Sequence, residues 1–358
     1  MREQFSWRPA WPCYVTVAVP DDAPLPETFF KAFGLLSHLY LTPVLGALIE
    51  GRVPDHLDAG PLPASELAQR SGLHALTVTR SLRALAAFGA FQEVSPGVFA
   101  NTPVSEFFRD RPGGLRNAAL FWGGEHVLKS AAELGYSVKT GKSSFDHVYG
   151  ESFWDRMHRL PDEYEMFNRA LADLRSDEHQ RIAGAYDWSG VNTVVDVGGG
   201  AGSLLAAILE THPGKRGVLI EQPEVLADAA RLLSARGVGD RCEFVGGSFF
   251  EPIAATGEVW AMCQVLHDWS DADCRAILSR CREAMRDTDR LLVIEMLTVP
   301  GEPNPGIAVL DMMMLLYFGE ARQRTVAEHS EVFRATGLEY SRVVSTPSAF
   351  SIVEARPV

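Results

Sequence analysis

Residues 193–202 read Thr-Val-Val-Asp-Val-Gly-Gly-Gly-Ala-Gly, and this stretch decides the fold. The β-branched run at 193–197 predicts a buried strand, and the apolar residues at 204–211 predict a helix directly after the glycines. Backbone amides and a helix N-terminus therefore meet beyond the carboxyl end of a strand. That edge is where open α/β sheets bind ligands, so the stretch predicts both a fold class and the position of a site.

The residues after this stretch alternate between short β-rich runs and helical stretches. Such alternation predicts an open parallel sheet with helices on both faces. Two further runs, joined by a turn at 346–348, predict an antiparallel hairpin that closes the sheet. The predicted strands are 193–197, 217–221, 241–245, 259–266, 290–295, 340–345 and 350–354, and the predicted helices are 204–211, 224–236 and 271–286.

The residues before this sheet predict helices and one hairpin in a winged-helix pattern. A winged helix suits DNA binding, but its second helix carries only Arg80 and Arg83 as fixed cations. Because its wide apolar faces are typical of packing against protein, we predict a structural or dimerising use. A ligand-sensing DNA-binding regulator is the alternative. The predicted helices are 29–51, 65–72, 76–88 and most of 103–190, and the hairpin strands are 91–94 and 98–100.

The first helical stretch carries more large apolar side chains than a small lobe can bury alone. We expect these side chains to meet a second copy in an intertwined homodimer, in which one subunit helps to wall the pocket of the other. They are Phe29, Phe30, Phe33, Leu35, Leu36, Leu39 and Tyr40.

The composition fits an ordinary globular protein and argues against two classes of partner. Lys and Arg number 33 against 46 Asp and Glu, a net charge of −13, which disfavours a nucleic-acid or anionic-membrane surface. No uncharged apolar run reaches the roughly 18 residues of a membrane span, and the first residues lack the apolar core of a signal peptide. We therefore expect a cytoplasmic protein with free thiols and no structural metal, since no metal-ligand spacing joins Cys13, Cys242, Cys263, Cys274 and Cys281.

The residues around the glycine-rich turn narrow the chemistry of the ligand. The glycines are spaced G-x-G-x-G, with Ser203 where a pyrophosphate-binding loop has its third glycine. Asp196 precedes the turn, and Glu221 ends the next predicted strand, where a carboxylate can accept both hydroxyls of a ribose. These charges disfavour a pyrophosphate. They suit S-adenosylmethionine (SAM), a nucleoside that carries a sulfonium and an ammonium group and no phosphate.

Four segments carry a resemblance to a known family. They are 196–202, Glu221-Gln222-Pro223, Gly247-Ser248-Phe249-Phe250 and Leu266-His267-Asp268-Trp269-Ser270-Asp271. Together they resemble the SAM-dependent O-methyltransferases of plant phenolics and bacterial aromatic natural products, and the resemblance runs from the winged helix almost to the C-terminus. It implies a Rossmann-like α/β methyltransferase domain at 191–358, a winged-helix-like dimerisation domain at 1–105, and a helical linker at 106–190 that contributes to the acceptor pocket.

The resemblance also implies which residues hold the cofactor SAM. Gly198, Gly200 and Gly202 would approach its methionine part, with Asp196 beside them, and Arg175 would pair with its carboxylate. Glu221 and Gln222 would hold the ribose, and Ser248 and Phe249 would flank the adenine, with Cys263 nearby. Two positions depart from the family pattern, because Ser248 replaces an Asp and Cys263 replaces the Lys of plant members. We expect weaker adenine contacts, since Ser can still accept one hydrogen bond.

A base near the reacting hydroxyl is the second requirement of this chemistry. A phenol with a pKa near 10 is mostly protonated at neutral pH, and histidine can take its proton. The resemblance assigns this task to His267 and assigns its orientation to Glu295. A second carboxylate usually flanks the histidine, and here Gln323 stands in its place. An amide orients an imidazole but cannot neutralise its positive charge.

The predicted function is methyl transfer from SAM to a phenolic hydroxyl of an aromatic secondary metabolite, without a metal. A flat acceptor would lie against polarizable Met and aromatic side chains. The alternative is a SAM-binding relative with diverged chemistry in natural-product biosynthesis, namely a hydroxylase, a decarboxylase or a pericyclase. By resemblance, the acceptor pocket comprises Phe167, Leu171, Asp268, Leu310, Met314 and Phe318.

Overall fold

A winged helix forms the N-terminal part of the described chain, as the sequence predicts. The computed structural model describes residues 27–175 and 177–358. Three short strands form an antiparallel sheet in the order β1-β3-β2, and Leu82, Phe91 and Phe99 are fully buried beneath it. The elements are α1 (Glu27–Glu50), α2 (Val53–His56), β1 (Leu62–Pro63), α3 (Ala64–Ser71), α4 (Ala75–Ala86), β2 (Phe91–Ser95) and β3 (Val98–Asn101).

A run of helices links the winged helix to the C-terminal sheet, which confirms the helical pattern predicted after residue 103. A short 3₁₀ helix at Ser105–Phe108 precedes them. Their apolar faces form one aromatic-rich core that includes Phe121, Phe145 and Phe153. The helices are α5 (Arg116–Trp122), α6 (Glu125–Ala132), α7 (Leu134–Thr140), α8 (Ser144–Tyr149), α9 (Phe153–Arg159), α10 (Pro161–Arg175) and α11 (Glu178–Ala185).

The C-terminal part is a seven-stranded sheet, which confirms the predicted α/β class. Its first five strands are parallel, and the last two close it as an antiparallel hairpin. The strands are β4 (Thr193–Val197), β5 (Arg216–Glu221), β6 (Cys242–Gly246), β7 (Val259–Cys263), β8 (Arg290–Glu295), β9 (Leu338–Ser345) and β10 (Ser351–Pro357). The helices are α12 (Ser203–Thr211), α13 (Pro223–Ala235), α14 (Asp271–Ala284), α15 (Pro305–Phe318) and α16 (Val326–Arg334).

The order of the strands places a crevice above β4. The sheet runs β6-β5-β4-β7-β8-β10-β9, so the chain leaves β4 toward one edge and returns on its other side at β7. The central strands are apolar on both faces because helices cover both, with Val194 and Val195 in two separate hydrophobic cores. Ligands of open sheets bind where the strand order reverses, at the carboxyl ends of β4 and β7.

One predicted strand is too long. The sequence predicts a strand over 259–266, but β7 ends at Cys263 because Gln264 adopts a left-handed backbone with φ of 53°. A 3₁₀ helix then spans Leu266–Asp268. The turn lifts His267 out of the sheet and sets it at the crevice.

Helix α1 presents an uncovered apolar face. Leu35 is 79% exposed, and Leu36, Leu39 and Tyr40 are about as open to solvent. Phe29 and Phe33 are also exposed, whereas the side chain of Phe30 lies outside the described residues. None of the helices within 27–175 and 177–358 combines the length and apolar character needed to cross a bilayer.

The cysteines among the described residues form no disulfide. Cys274 and Cys281 are buried, and Cys242 and Cys263 are half-buried. Cys13 lies outside the described residues.

Candidate active site

The glycine-rich turn after β4 opens its backbone toward the crevice. Gly198, Gly200 and Gly202 all have left-handed φ, at 66°, 55° and 78°. The amide of Gly198 donates to the carbonyl of Ile220 at 2.9 Å, which ties the turn to β5. A Cβ on Gly198 would lie 3.2 Å from both Phe249 and Val265, so a side chain here would crowd these neighbours. The turn therefore depends on glycine for its left-handed backbone and for the close packing of Phe249 against Gly198.

Glu221 stands at the end of β5 beside this turn. Its Oε2 accepts from the Gly200 amide at 2.9 Å, and its Oε1 accepts from the Gln222 amide at 2.7 Å. Burial raises the pKa of Glu221, and these two amides offset part of the shift. A carboxylate has about four acceptor sites, so each oxygen can accept a further bond. The arrangement fits a ribose diol, as the sequence predicts. Gln222 contributes its main-chain amide to this arrangement.

Asp196 lies beneath the turn rather than on its ligand-facing side. Its side chain is fully buried and is covered by Gly199, where a Cβ would overlap the carboxylate. Burial raises the pKa of Asp196 to about 7, the charge of Glu221 adds to the shift, and the Leu205 amide offsets part of it. A direct contact between Asp196 and the cofactor, as expected from the sequence, does not fit this burial. Asp196 therefore supports the glycine-rich turn from beneath.

Aromatic side chains gather where the adenine is expected. Phe249 packs against Gly198, and Phe249 and Phe250 both meet the ring of Trp269, at centroid distances of 5.8 and 4.8 Å. The Ser248 hydroxyl accepts from the Phe250 amide at 3.2 Å, so one of its acceptor sites serves the local turn. Cys263 is half-buried at the end of β7. Arg175 ends α10, but its side chain lies outside the described residues, and its predicted role stays a prediction.

His267 is held from three sides and is 5% exposed. Its main-chain amide donates to Glu295 Oε1 at 2.9 Å. Its Nδ1 lies 2.5 Å from Nε2 of Gln323, and its Nε2 lies 3.3 Å from Oδ1 of Asp268. The structure thus brings together the three residues to which the sequence assigns catalysis, and it adds Asp268 to them.

Glu295 meets His267 differently from the expectation. The sequence assigns Glu295 to the imidazole, but the bond that the structure shows is to the main chain of His267. Its second oxygen lies 3.4 Å from Nε2 of His329, a buried residue on α16. Burial raises the pKa of Glu295, but His329, with the charges of His267 and Arg324, outweighs it and lowers the pKa. Spacing along the chain placed this carboxylate at the correct strand end without showing which atom it would meet.

Arg324 is a buried cation that the sequence analysis missed. Its Nη1 and Nη2 donate to the carbonyls of Leu266 and Trp269, both at 2.7 Å. Its Nε and Nη2 also donate to Oδ1 of Asp271 at 3.0 and 2.9 Å, and Arg322 donates to Oδ2 of the same carboxylate at 2.9 Å. The segment that carries Gln323 is therefore clamped to the segment that carries His267. The carboxylate of Asp271, at the end of the run His267-Asp-Trp-Ser-Asp271, was the sequence feature that could have predicted a basic partner.

Two of the predicted acceptor residues meet at an aromatic wall. Phe167 on α10 and Phe318 on α15 both contact Trp154, at centroid distances of 5.8 and 6.0 Å, and the Trp154 and Phe318 rings are stacked. Trp154 is half-buried and was missed by the sequence analysis. Leu310, Met314 and Phe318 follow at four-residue intervals on α15, which also packs against the 3₁₀ helix of His267. Leu171 is half-buried on α10.

Comparison with known proteins identifies the family. Residues 132–339 match the O-methyltransferase domain, and residues 33–111 match the O-methyltransferase dimerisation domain. The chain belongs to the O-methyltransferase family. It is 37% identical over 321 residues to phenazine O-methyltransferase PhzM of Lysobacter antibioticus, covering 89% of this chain and 92% of that relative.

Two solved structures of the family are close in fold. The mitomycin 7-O-methyltransferase MmcR superposes with a TM-score of 0.86 at 35% identity, covering 92% of this chain and 98% of that one. The O-methyltransferase NcsB1 of neocarzinostatin biosynthesis, in complex with SAM and 2-hydroxy-5-methyl naphthoic acid, superposes with a TM-score of 0.79 at 33% identity. This superposition covers 92% of this chain and 98% of NcsB1.

These matches confirm the main functional predictions. The protein is a SAM-dependent O-methyltransferase of aromatic small molecules and a homodimer. The dimerising interpretation of the winged helix is confirmed, and the uncovered face of α1 lies within the matched dimerisation domain. Among the described residues, no group of three or more His, Cys, Asp or Glu side chains is arranged to hold a metal ion.

Proposed function

We propose that His267 is the catalytic residue of this O-methyltransferase and removes the proton of the acceptor hydroxyl. The observation that supports this most is the way its imidazole is fixed. Gln323 lies at Nδ1, Asp268 lies at Nε2, and the main chain is tied to Glu295. The ring lies at the crevice between the glycine-rich turn and α15, where donor and acceptor must meet.

The remaining roles follow from the same geometry. SAM supplies an electrophilic methyl group on a positively charged sulfur. Glu221 holds the ribose, the turn at 198–202 holds the methionine part, and Phe249 and Ser248 flank the adenine. Trp154, Phe167 and Phe318 hold the flat acceptor on its faces. Alignment of acceptor oxygen, methyl carbon and sulfur then supplies much of the rate enhancement, because positioning removes the entropic cost of the encounter.

We further propose an acceptor with fused aromatic rings, made in an antibiotic pathway. Support comes from the aromatic wall and from the relatives, whose names refer to phenazine, mitomycin and a naphthoic acid. We propose a cytoplasmic location, which the free thiols support. The organisation into 1–105, 106–190 and 191–358 is also part of this proposal.

Methyl-labelled SAM and a panel of hydroxylated polycyclic aromatics test the proposal. We expect S-adenosylhomocysteine (SAH) and a labelled product, and we expect His267→Ala to lower kcat by about 10²–10⁴-fold, the usual contribution of a general base. SAM affinity should stay unchanged, since the imidazole meets the acceptor. His74→Ala, at the exposed residue that precedes α4, is the control. Undiminished turnover by His267→Ala contradicts the assignment, and consumption of an acceptor without SAH favours the diverged chemistry instead.

A further inference from the structure

The orientation of the Gln323 amide fixes the protonation of His267. Gln323 is 4% exposed, its Nε2 lies 2.5 Å from Nδ1 of His267, and its Oε1 meets no hydrogen-bond donor among the described residues. An amide nitrogen carries two N–H donors and does not accept, so it can only donate to a ring nitrogen. The Gln323 amide therefore donates to Nδ1.

The contact with Asp268 independently indicates the same protonation state of His267. A neutral imidazole that accepts at Nδ1 carries its proton on Nε2. Oδ1 of Asp268 lies 3.3 Å from that Nε2, which is favourable for an N–H and unfavourable for a lone pair. Both contacts therefore place the proton of neutral His267 on Nε2, so that nitrogen is a hydrogen-bond donor in the resting enzyme.

Because Nε2 of His267 already carries a proton, the site is better suited to donating a hydrogen bond than to accepting a proton. To accept a proton there, His267 must first move its own proton to Nδ1, and the Gln323 amide must turn to present its oxygen. A carboxylate at position 323 would accept from Nδ1 without turning and would stabilise the imidazolium by its charge. The neutral amide gives no such stabilisation. General-base assistance to a weakly acidic hydroxyl is accordingly smaller than it would be with a carboxylate at position 323.

The imidazole already has one carboxylate beside it, and the amide at position 323 avoids a second. Asp268 is the carboxylate beside the ring, whereas Glu295 faces the main chain and His329, and Asp311 accepts from the Gln323 main-chain amide at 2.7 Å. Arg324 is directed to the Leu266 carbonyl and to Asp271. A carboxylate at 323 would add one more negative charge against an anionic acceptor. The amide removes that repulsion while leaving the N–H donor in place.

We propose that the enzyme selects acceptors whose hydroxyl is acidic enough to enter as an oxyanion at neutral pH, such as a hydroxyl conjugated to a ring carbonyl. The inference rests on the proposed role of His267 at the acceptor oxygen. Such an acceptor arrives without the proton that His267 removes from a neutral hydroxyl, and His267 donates its Nε2–H to the oxyanion instead. An electron pair of the oxyanion forms the new O–C bond, the C–S bond of the sulfonium breaks, and the sulfur keeps that pair. The transfer needs no proton acceptor.

Two probes of equal ring number test this selectivity. One is 2-hydroxy-1,4-naphthoquinone, whose hydroxyl is a vinylogous acid, and the other is 2-naphthol, an ordinary phenol. We expect wild-type kcat/KM to be at least about tenfold higher for the acidic probe, a difference worth about 1.4 kcal/mol in the barrier. We expect Gln323→Glu to raise kcat/KM for 2-naphthol by about tenfold or more, within the range of general-base catalysis. The same variant should lower kcat/KM for the quinone.

Gln92→Glu is the matched control, because it adds the same charge on an exposed strand of the winged helix and should change neither value. A wild-type enzyme that prefers 2-naphthol, or a Gln323→Glu variant with unchanged selectivity, overturns the inference. If the quinone is not methylated while other members of the aromatic panel are, the selectivity fails and the O-methyltransferase role of the site stands. If no acceptor yields SAH, both the selectivity and the proposed O-methyltransferase function of the site are wrong.

A measurement on the wild-type protein does not depend on the folding of any variant. Selective ¹⁵N labelling of histidine, with the His267 signals assigned by their loss in His267→Ala, reports which ring nitrogen carries the proton. We expect a protonated Nε2 and an unprotonated Nδ1 at neutral pH. The opposite tautomer overturns the inference.

Discussion

Neighbouring side chains, more than the identity of His267 itself, decide the chemistry at the crevice. The sequence alone pointed to His267 and to its neighbour Gln323, because the family pattern includes both positions. It did not show that Glu295 would meet the main chain while Asp268 meets the ring. Such differences of a few ångströms depend on tertiary packing, and spacing along a chain does not encode them.

Asp196 makes the stability of the ligand-free protein depend on pH. Its pKa is raised to about 7 in the folded protein, chiefly by burial, whereas an unfolded chain has an Asp pKa of about 3.9. The folded state therefore holds the extra proton between these values, so stability is lost as the pH rises from about 4 to about 7. Asp196→Asn cannot ionise and removes this loss. We expect its free energy of unfolding, relative to wild type, to increase by about 2 kcal/mol between pH 5 and pH 8.

Guanidinium unfolding at a fixed protein concentration measures this difference. Asp240→Asn, at an exposed carboxylate before β6, is the control and should show no relative change with pH. An Asp196→Asn variant that keeps the pH dependence of the wild type would show that Asp196 is ionised throughout the range.

At the scale of elements, two loops act as one unit. The segment between β7 and α14 carries His267, and the segment between α15 and α16 carries Gln323. Arg324 joins them through the carbonyls of Leu266 and Trp269 and through Asp271. A capping box between Thr325 and Glu328 fixes the start of α16 just beyond. The relative position of base and partner thus depends on this buried arginine.

Arg324→Lys tests this positioning role. Lysine keeps the charge but lacks the planar fork that reaches two carbonyls and a carboxylate at once. We expect kcat to fall by about tenfold or more, because a small misplacement of a catalytic group is costly. The dissociation constant of SAM should change little. The free energy of unfolding should fall by about 2 kcal/mol, because the shorter head group leaves a buried carbonyl without its donor.

Steady-state kinetics and calorimetry separate these effects. Arg322→Ala is the control, since Arg322 binds the same Asp271 carboxylate from a more exposed position and touches neither carbonyl. Wild-type kcat in a folded Arg324→Lys variant contradicts the positioning role. An equal loss of SAM binding would indicate general structural damage instead.

Most elements could be predicted from local patterns, but the end of β7 and the role of Trp154 could not. The strand at 193–197 was predicted to the residue because β-branched residues and glycines mark both of its ends. The end of β7 was misplaced, since only the left-handed Gln264 stops that strand and Gln is not a residue that marks turns. Trp154 was overlooked because its contact with Phe318 joins distant parts of the chain.

The whole molecule brings three separate parts of the chain to one crevice. The reversal of strand order places the glycine-rich turn beside His267, and α15 joins the helical linker in one aromatic core. Local periodicity predicted the layers of the sheet. The order in which strands pair arises from long-range packing, so it was not contained in any single segment. The exposed face of α1 lies in the matched dimerisation domain, and we expect the second subunit of the homodimer to cover it.

Calorimetric titration of SAH into the purified enzyme tests the central claim, that the turn at 198–202 and Glu221 form the cofactor site. We expect one site per chain. Glu221→Gln should bind at least about tenfold more weakly, because hydrogen bonds to a charged group are lost. Glu243→Gln, on the exposed side of neighbouring β6, should bind like the wild type. No heat of binding in the wild type, or equal affinity in Glu221→Gln, would contradict the account.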